Sequence, residues 1–187
     1  MNVELLESDN PQTIPGEKSI KVSGRKFDLV ILKYASGSIG VSRGFTVGPT
    51  IGYQRESLGP TNINFHYVVK GISIMNEGDL EAQVKEKTEG LISKKLVEIH
   101  WEGGILAGQL NDDIELKNMI MKSNVVPLKV EPDKKNNCVH IINEKSIRII
   151  MKKSGIIVQK AETRAENFPP IEILDVIDKI ATYVKSA

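Results

Sequence analysis

Cysteine is almost missing from this sequence. The chain of 187 residues has one, Cys138, so no disulfide can form within it. Small extracellular domains often depend on disulfides, whereas a lone cysteine is more typical of proteins from a reducing compartment. The sequence therefore predicts a cytoplasmic protein.

Long apolar runs are missing as well. The longest aliphatic run, Leu29 to Leu32, is far shorter than the ~20 apolar residues that a membrane-spanning helix needs. The first residues, MNVELLESDNPQTIPGEK, have no apolar segment of the kind that signal peptides carry. We expect no membrane association and no secretion signal.

The sequence also has no excess of positive or negative charge, and it has few aromatic residues. Lysine and arginine number 25 against 24 acidic residues, a balance that favours neither nucleic acid nor an anionic membrane as partner. Aromatic residues make up 5%, few for a surface that stacks single-stranded bases. A nucleic-acid binder that uses Arg43, Arg55, Lys70 and Arg148 is therefore only the third hypothesis for function.

Apolar residues are present in ordinary amount, at 40%, which is enough for a globular core. Residues 1–17 are polar, contain two prolines and are expected to form a loose arm. Residues 18–187 are expected to form one domain, and the natural place for an internal division is near 76–96. The abundance of isoleucine and lysine is typical of thermophile proteins.

The stretch GVSRGFTVGPTIG has a glycine at every fourth position. Pro49 and the β-branched residues of this stretch oppose a helix, and no phosphate-loop spacing is present. Because four is twice two, the glycines share one face of a strand, where they either permit sheet curvature or form a flat surface that a ligand approaches. The binding surface of the second interpretation consists of Gly40, Gly44, Gly48, Gly52 and Arg43.

Alternating apolar and polar residues predict β-strands over much of the chain. The segment 19–34 reads as a hairpin with a two-residue turn at Gly24-Arg25. LGPTN at 58–62 reads as a turn, and INFHYVVKGISIM after it as a strand or a pair of strands. After residue 127, short strands at PLKVE, CVHII, SIRIIM and GIIVQKA are separated by DKKNN, NEK and KKS.

Helices are predicted in three places. Asp79 is a suitable N-cap for a middle helix over 79–95, and Asp112 or Asp113 for a shorter helix that ends near residue 123. The C-terminal segment has the clearest helical period and carries charged residues on its other side. Its apolar seam either packs on the core or pairs with a second copy in a homodimer, and it consists of Ile173, Ile177, Ile180 and Val184.

These elements predict an α+β fold. It is an antiparallel meander, barrel-like or sandwich-like, covered by the long C-terminal amphipathic helix and by the middle helix. The order of elements, a β-rich chain that ends in one amphipathic helix, is similar in outline to that of pleckstrin-homology-like domains. The likeness concerns element order alone and implies no functional residue.

Each of the three histidines lies on the less apolar side of its predicted strand. If those strands were neighbours, His66, His100 and His140 could converge on a metal ion, with Cys138 and Glu102 nearby. A general base with an orienting acid, for which His100 and Glu102 are candidates, is a second interpretation. Solvated surface histidines show the same pattern.

No catalytic motif of known spacing occurs in the sequence. The preferred hypothesis is therefore a non-catalytic binding or interaction module without a cofactor, which self-associates or binds another protein. The alternative is a metal-dependent enzyme that uses His66, His100 and His140, with Glu102 as the base.

Overall fold

The computed structural model describes residues 3–6, 16–35, 53–90, 95–154, 160–166 and 170–187. Within these ranges the chain forms one sheet and four α-helices, which confirms the predicted α+β class. The strands are β1 (Val3–Leu6), β2 (Gly16–Val22), β3 (Leu29–Ala35), β4 (Tyr53–Lys70), β5 (Ala82–Glu89), β6 (Lys95–Gly103), β7 (Leu128–Asp133), β8 (Cys138–Ser154) and β9 (Lys160–Glu166). The helices are α1 (Glu77–Leu80), α2 (Ile105–Asp112), α3 (Ile114–Ser123) and α4 (Ile173–Ser186).

The sheet is antiparallel throughout, with the strand order β1-β2-β3-β4-β8-β7-β5-β6, and β9 pairs with β8 beside this path. It does not close on itself, because β1 and β6 lie at opposite ends of the order. The sequence predicted either a barrel-like or a sandwich-like sheet, and the described sheet is not a closed barrel.

The centre of the sheet is the pair formed by β4 and β8, whose register runs from Tyr53↔Ser154 to Lys70↔Cys138. The turn predicted for 58–62 is wrong, since this segment lies inside β4 where the register shifts between Leu58 and Thr61. A bulge accommodates Pro60, which has no N–H to donate to the ladder. The break predicted at 143–145 is also wrong, since one strand runs through it.

The middle helix predicted for 79–95 is wrong. Helix α1 ends after four residues and is capped by Asn76, whose side chain accepts from the Gly78 N–H. From Ala82 onward the chain forms β5, which pairs with β6 along most of its length. Ala82 and Val84 are buried while the residues between and after them are exposed, so pairing with a neighbouring strand overrides a weak helical pattern.

The hairpin of β2 and β3 is confirmed, but its connection is longer than the predicted two-residue turn. The strands pair as far as Lys21↔Leu29, and residues 23–28 form the loop. Within this loop Phe27 is buried in the core, and the Arg25 guanidinium contacts Asp175 at 2.7 Å and Asp178 at 3.0 Å on α4. The loop conformation is thus set by contacts with α4.

Helices α2, α3 and α4 lie on the face of the sheet that contains Tyr67, Val69 and Ile141. Helix α3 begins at the predicted cap, because the Asp113 carboxylate accepts from the Leu116 N–H at 2.9 Å. Among the described residues, no helix is both long and apolar enough to pass through a lipid bilayer.

Two sequence predictions fall largely outside the described residues. The glycine-rich stretch 40–52 lies wholly outside them. Of the predicted N-terminal arm, Val3–Leu6 form β1 on the edge of β2, and β2 itself begins at Gly16.

Candidate metal centre

The two faces of the central strands differ sharply. One face carries the apolar residues under the helices, such as Tyr67, Val69 and Ile141. Side chains alternate along a strand, so the residues between these apolar ones point to the opposite face of the sheet. On β4 these are His66 and Val68, and on β8 their cross-strand partners are Ile142 and His140. We call this other face the histidine face and define it by His66, Val68, Cys138, His140 and Ile142.

The hairpin between β7 and β8 brings three ligand types to one corner of the histidine face. Asp133 and Cys138 are direct cross-strand partners, and His140 follows Cys138 by two residues on the same face. A 3₁₀ turn at Lys134–Asn136 and a left-handed Asn137 connect the strands. The side chain of Asn136 donates to the Asp133 carboxylate at 2.7 Å, and its backbone N–H donates to the same group at 3.1 Å.

The geometry of this corner suits a tetrahedral metal ion. One potential ligand atom from each of Asp133, Cys138 and His140 lies within 4.8 Å of the other two. The Cys138 Sγ and His140 Nε2 atoms are 3.6 Å apart, a contact that is a weak hydrogen bond when no metal is bound. From Zn–S and Zn–N bonds of about 2.3 and 2.0 Å, the same two atoms on one tetrahedral zinc would be about 3.5 Å apart.

The protonation states at this corner depend on burial and on hydrogen bonds. Hydrogen bonds from Asn136 lower the pKa of Asp133, so its carboxylate is charged at neutral pH. Burial raises the pKa of the Cys138 thiol, and the Asp133 charge acts in the same direction. A divalent cation would offset the negative charge of Asp133 and favour loss of the thiol proton, as metal ligation requires.

A second histidine lies beside the first. The rings of His66 and His140 meet edge to face, with centroids 5.4 Å apart and planes at 87°. His66 is 8% exposed, and burial lowers its pKa to about 4, with the Lys33 and His140 charges adding to this and Glu131 opposing it. The neutral imidazole that results is the form that binds metals.

The structure brings together two of the three histidines that the sequence offered as metal ligands. His66 and His140 meet, whereas His100 lies on β6, which β7 and β5 separate from β8. Three strand spacings of about 4.8 Å each lie between β6, which carries His100, and β8, which carries His140. His100 and Glu102, the candidates for a catalytic pair, are exposed on β6 and pair with Lys85 and Gln83.

The seam of α4 is placed in the core of the chain. Its four residues are almost fully buried against the sheet and the other helices, at 3% exposure or less. In this fold the four residues pack within one chain, as the core-packing interpretation expects, and the homodimer stays a prediction. The residues are Ile173, Ile177, Ile180 and Val184.

Asp133 is a candidate ligand that the sequence prediction does not include, because DKKNN predicts only a turn. A signal for it does exist in the sequence. When a four-residue loop closes a hairpin, the residue before it faces the residue after it, which places Asp133 opposite Cys138. The pattern D-x-x-x-x-C-x-H across such a loop therefore puts carboxylate, thiol and imidazole on one face.

A separate groove of about 550 Å³ lies where the loop after β4, helices α1 and α2 and the end of α4 meet. Two of its lining residues are large and highly exposed, Met75 at 89% and Ile105 at 63%. Leu80, Leu106 and Val184 line it as well, and Lys185 contributes a charge.

Comparison of the chain with protein-family models, with curated proteins and with solved structures gives no match.

Proposed function

We propose that this protein binds one zinc ion, or a divalent metal of similar ligand preference, through Asp133, Cys138 and His140. The observation that carries the proposal is the approach of three chemically different ligand atoms to within 4.8 Å of one another. Among the described residues this is the one such group. It lies at the end of the paired strands β7 and β8, beside their connecting loop, and the strand pairing limits how far the ligands can move apart.

The ligand types favour zinc over the harder cations. Calcium and magnesium prefer oxygen ligands throughout, whereas thiolate and imidazole suit zinc and its neighbours. A reducing cytoplasm, which the single cysteine predicts, would keep Cys138 reduced and available to a metal ion.

The hydrogen bonds around Asp133 support the same proposal. Carboxylates that ligate metals are usually held by hydrogen bonds of their own. Asn136 provides two of these from within the hairpin loop. The loop thereby holds the carboxylate in place before any metal arrives, which reduces the entropy lost on binding.

Native mass spectrometry of chelator-treated, metal-free protein, before and after one equivalent of zinc, tests this proposal. We expect wild-type protein to gain the mass of one zinc ion. Cys138→Ala and His140→Ala each remove a direct ligand. Loss of a residue that only supports a ligand by a hydrogen bond lowers metal affinity about 10- to 100-fold, so each of these variants should lose at least that much zinc affinity.

The matched control is His100→Ala, which removes an exposed imidazole three strands away and should leave affinity unchanged. Circular dichroism of each metal-free variant shows whether it is folded. Failure of the folded wild-type protein to take up stoichiometric zinc, or equal uptake by Cys138→Ala, would contradict the proposal.

A second candidate function is the interaction module that the sequence favoured, and the groove beside α1 supports it. Its volume is in the range of about 300–1,000 Å³ that is usual for binding pockets. Methionine is common on surfaces that adapt to protein partners, and Met75 is almost fully exposed here. The occupant we infer is an apolar segment of another protein.

A further inference from the structure

One wall of the groove is the segment that joins β4 to α1, residues 71–76, which we call the groove loop. Ile74 anchors the middle of this loop in the core, whereas Met75 is 89% exposed. The groove loop forms neither helix nor strand, so its backbone groups need partners outside the regular elements.

The turn between β7 and β8, which lies beside the metal ligands, supplies such partners. The Ile72 N–H donates to the Asn137 carbonyl at 3.2 Å, and the Lys134 Nζ donates to the Met75 carbonyl at 3.0 Å. The Lys134 N–H donates to the Glu77 carboxylate at 3.2 Å, at the start of α1. Hydrogen bonds therefore attach the groove loop and the start of α1 to this turn.

Two of the proposed metal ligands lie at the two ends of the same turn. Asp133 precedes residues 134–137 and Cys138 follows them. A metal ion that binds both ligands would fix the ends of the turn relative to each other, as a metal that closes a loop does. Opening of the turn would then require the loss of a metal bond, so the turn becomes a more rigid support for the groove loop.

We propose that zinc bound by Asp133, Cys138 and His140 orders the groove loop and thereby regulates what binds in the groove. This inference rests on the proposed function. A ligand that makes a segment rigid reduces the entropy lost when a second ligand needs the same segment ordered. An apolar segment that binds against the ordered loop should therefore bind the zinc-loaded protein more tightly, and it should raise the zinc affinity by the same factor.

Amide hydrogen exchange of the full chain, measured residue by residue by NMR with and without one equivalent of zinc, tests this proposal. We expect zinc to slow exchange of the Ile72 and Lys134 amides by about fivefold or more, the lower end of the range for coupled sites. The internal control is the Leu116 N–H, which also donates to a carboxylate, that of Asp113 at the start of α3. Its exchange rate should be unchanged by zinc.

The double variant Glu77→Ala with Lys134→Ala removes the two side chains that join the turn to the groove loop and α1. Neither residue is a proposed metal ligand or lines the groove. The variant should take up zinc as the wild-type protein does but lose most of the slowing at the Ile72 amide. Glu81→Ala with Lys135→Ala is the matched control, because it removes the same charges at exposed positions outside these bonds.

The outcomes separate this inference from the proposed function. If the wild-type protein takes up zinc while the Ile72 and Lys134 amides keep their metal-free exchange rates, the regulation is refuted and the metal site stands. Equal slowing at Leu116, or the same response to zinc in both double variants, would also overturn the inference. If the wild-type protein takes up no zinc, the metal site is refuted and the regulation with it.

Discussion

At the residue scale, Gly104 shows how one missing side chain determines the packing of two helices. A Cβ atom at this position would lie 1.9 Å from the carbonyl oxygen of Gly78, at the start of α1. The Gly104 N–H donates to the Glu81 carbonyl at 2.8 Å, so the two segments are already in contact. The beginning of α2 therefore has no room for a larger residue.

Gly104→Ala is expected to destabilise the protein by about 2 kcal/mol, because the clash is with backbone, which cannot rotate away. Gly108→Ala is the matched control, since a Cβ there meets nothing within 4 Å and Gly108 lies inside α2. Alanine should stabilise that position by about 0.5–1 kcal/mol through higher helix propensity. Urea unfolding measures both changes, and equal effects of the two substitutions would refute the explanation.

Asn143 shows how one buried polar side chain determines the position of a neighbouring segment. It has no exposed surface and donates both amide hydrogens, to the carbonyls of Val125 and Pro127 at 2.9 and 2.8 Å. These bonds attach the segment between α3 and β7 to the centre of β8. The asparagine that the sequence placed in a turn is thus part of the core.

At the element scale, two carboxylates at the start of α3, those of Asp113 and Glu115, contact Lys179 of α4, and Asp113 has the larger set of bonds. Asp113 caps α3 and also accepts from the Tyr183 hydroxyl at 2.9 Å and lies 3.1 Å from the Lys179 Nζ, both on α4. Burial acts to raise the pKa of Asp113, but the bonds from Leu116, Lys179 and Tyr183 together outweigh it and lower the pKa. The folded protein thus favours the charged form of Asp113.

This lowered pKa predicts a pH dependence of stability. A carboxyl group whose pKa is lower in the folded state stabilises the protein above its unfolded pKa of about 3.9, and that contribution is lost as pH falls through the folded pKa. Asp113→Asn keeps an acceptor for the cap but not the charge, so it should cost about 1–2 kcal/mol at pH 7. The difference from wild type should shrink in acid.

Urea unfolding of both proteins at neutral pH and at a pH near 3 checks this expectation. Asp112→Asn is the neighbouring control, because Asp112 is exposed. A cost for Asp113→Asn that is the same at both pH values would show that the charge has no role in joining α3 to α4.

At the scale of the whole molecule, the two faces of the sheet have different neighbours and different chemistry. Helices cover the face that contains Tyr67 and Ile141, and the candidate metal centre lies on the other. The groove lies beyond the sheet, where α1, α2 and the end of α4 meet. The groove and the metal corner are nevertheless joined, because the Ile72 N–H donates to the Asn137 carbonyl at 3.2 Å and the Lys134 Nζ donates to the Met75 carbonyl at 3.0 Å.

The hydrophobic dye 1-anilinonaphthalene-8-sulfonate tests whether the groove binds apolar groups. The double variant Met75→Ser and Ile105→Ser should bind the dye about tenfold more weakly or worse, since each apolar side chain contributes about 1.5–3 kcal/mol when buried. The matched control is Ile114→Ser with Ile171→Ser, residues that are 72% and 73% exposed but do not line the groove. Equal loss of dye binding in the two double variants would refute the groove as the binding site.

Much of the candidate site was predictable from the sequence, because the face on which a strand residue lies is a local property. Side chains alternate with a period of two, so the relation of His66 to Phe65 and Tyr67 follows from the sequence alone. The same argument put Cys138 and His140 on one face, and both assignments agree with the register of β4 and β8. The helical spacing of the apolar residues in α4 is likewise a local property that can be read from the sequence.

The sequence by itself determined which residues share a face along the strands that carry the histidines, the class of the fold and the apolar seam of α4. Tertiary structure decided that His140 meets His66 and not His100, because the neighbours of a strand depend on contacts between distant parts of the chain. It also decided that 82–89 is a strand, since pairing with β6 supplies hydrogen bonds that a local pattern cannot reveal. The seam of α4 lies in the core for the same reason, as the sheet that covers it comes from residues far away in the sequence.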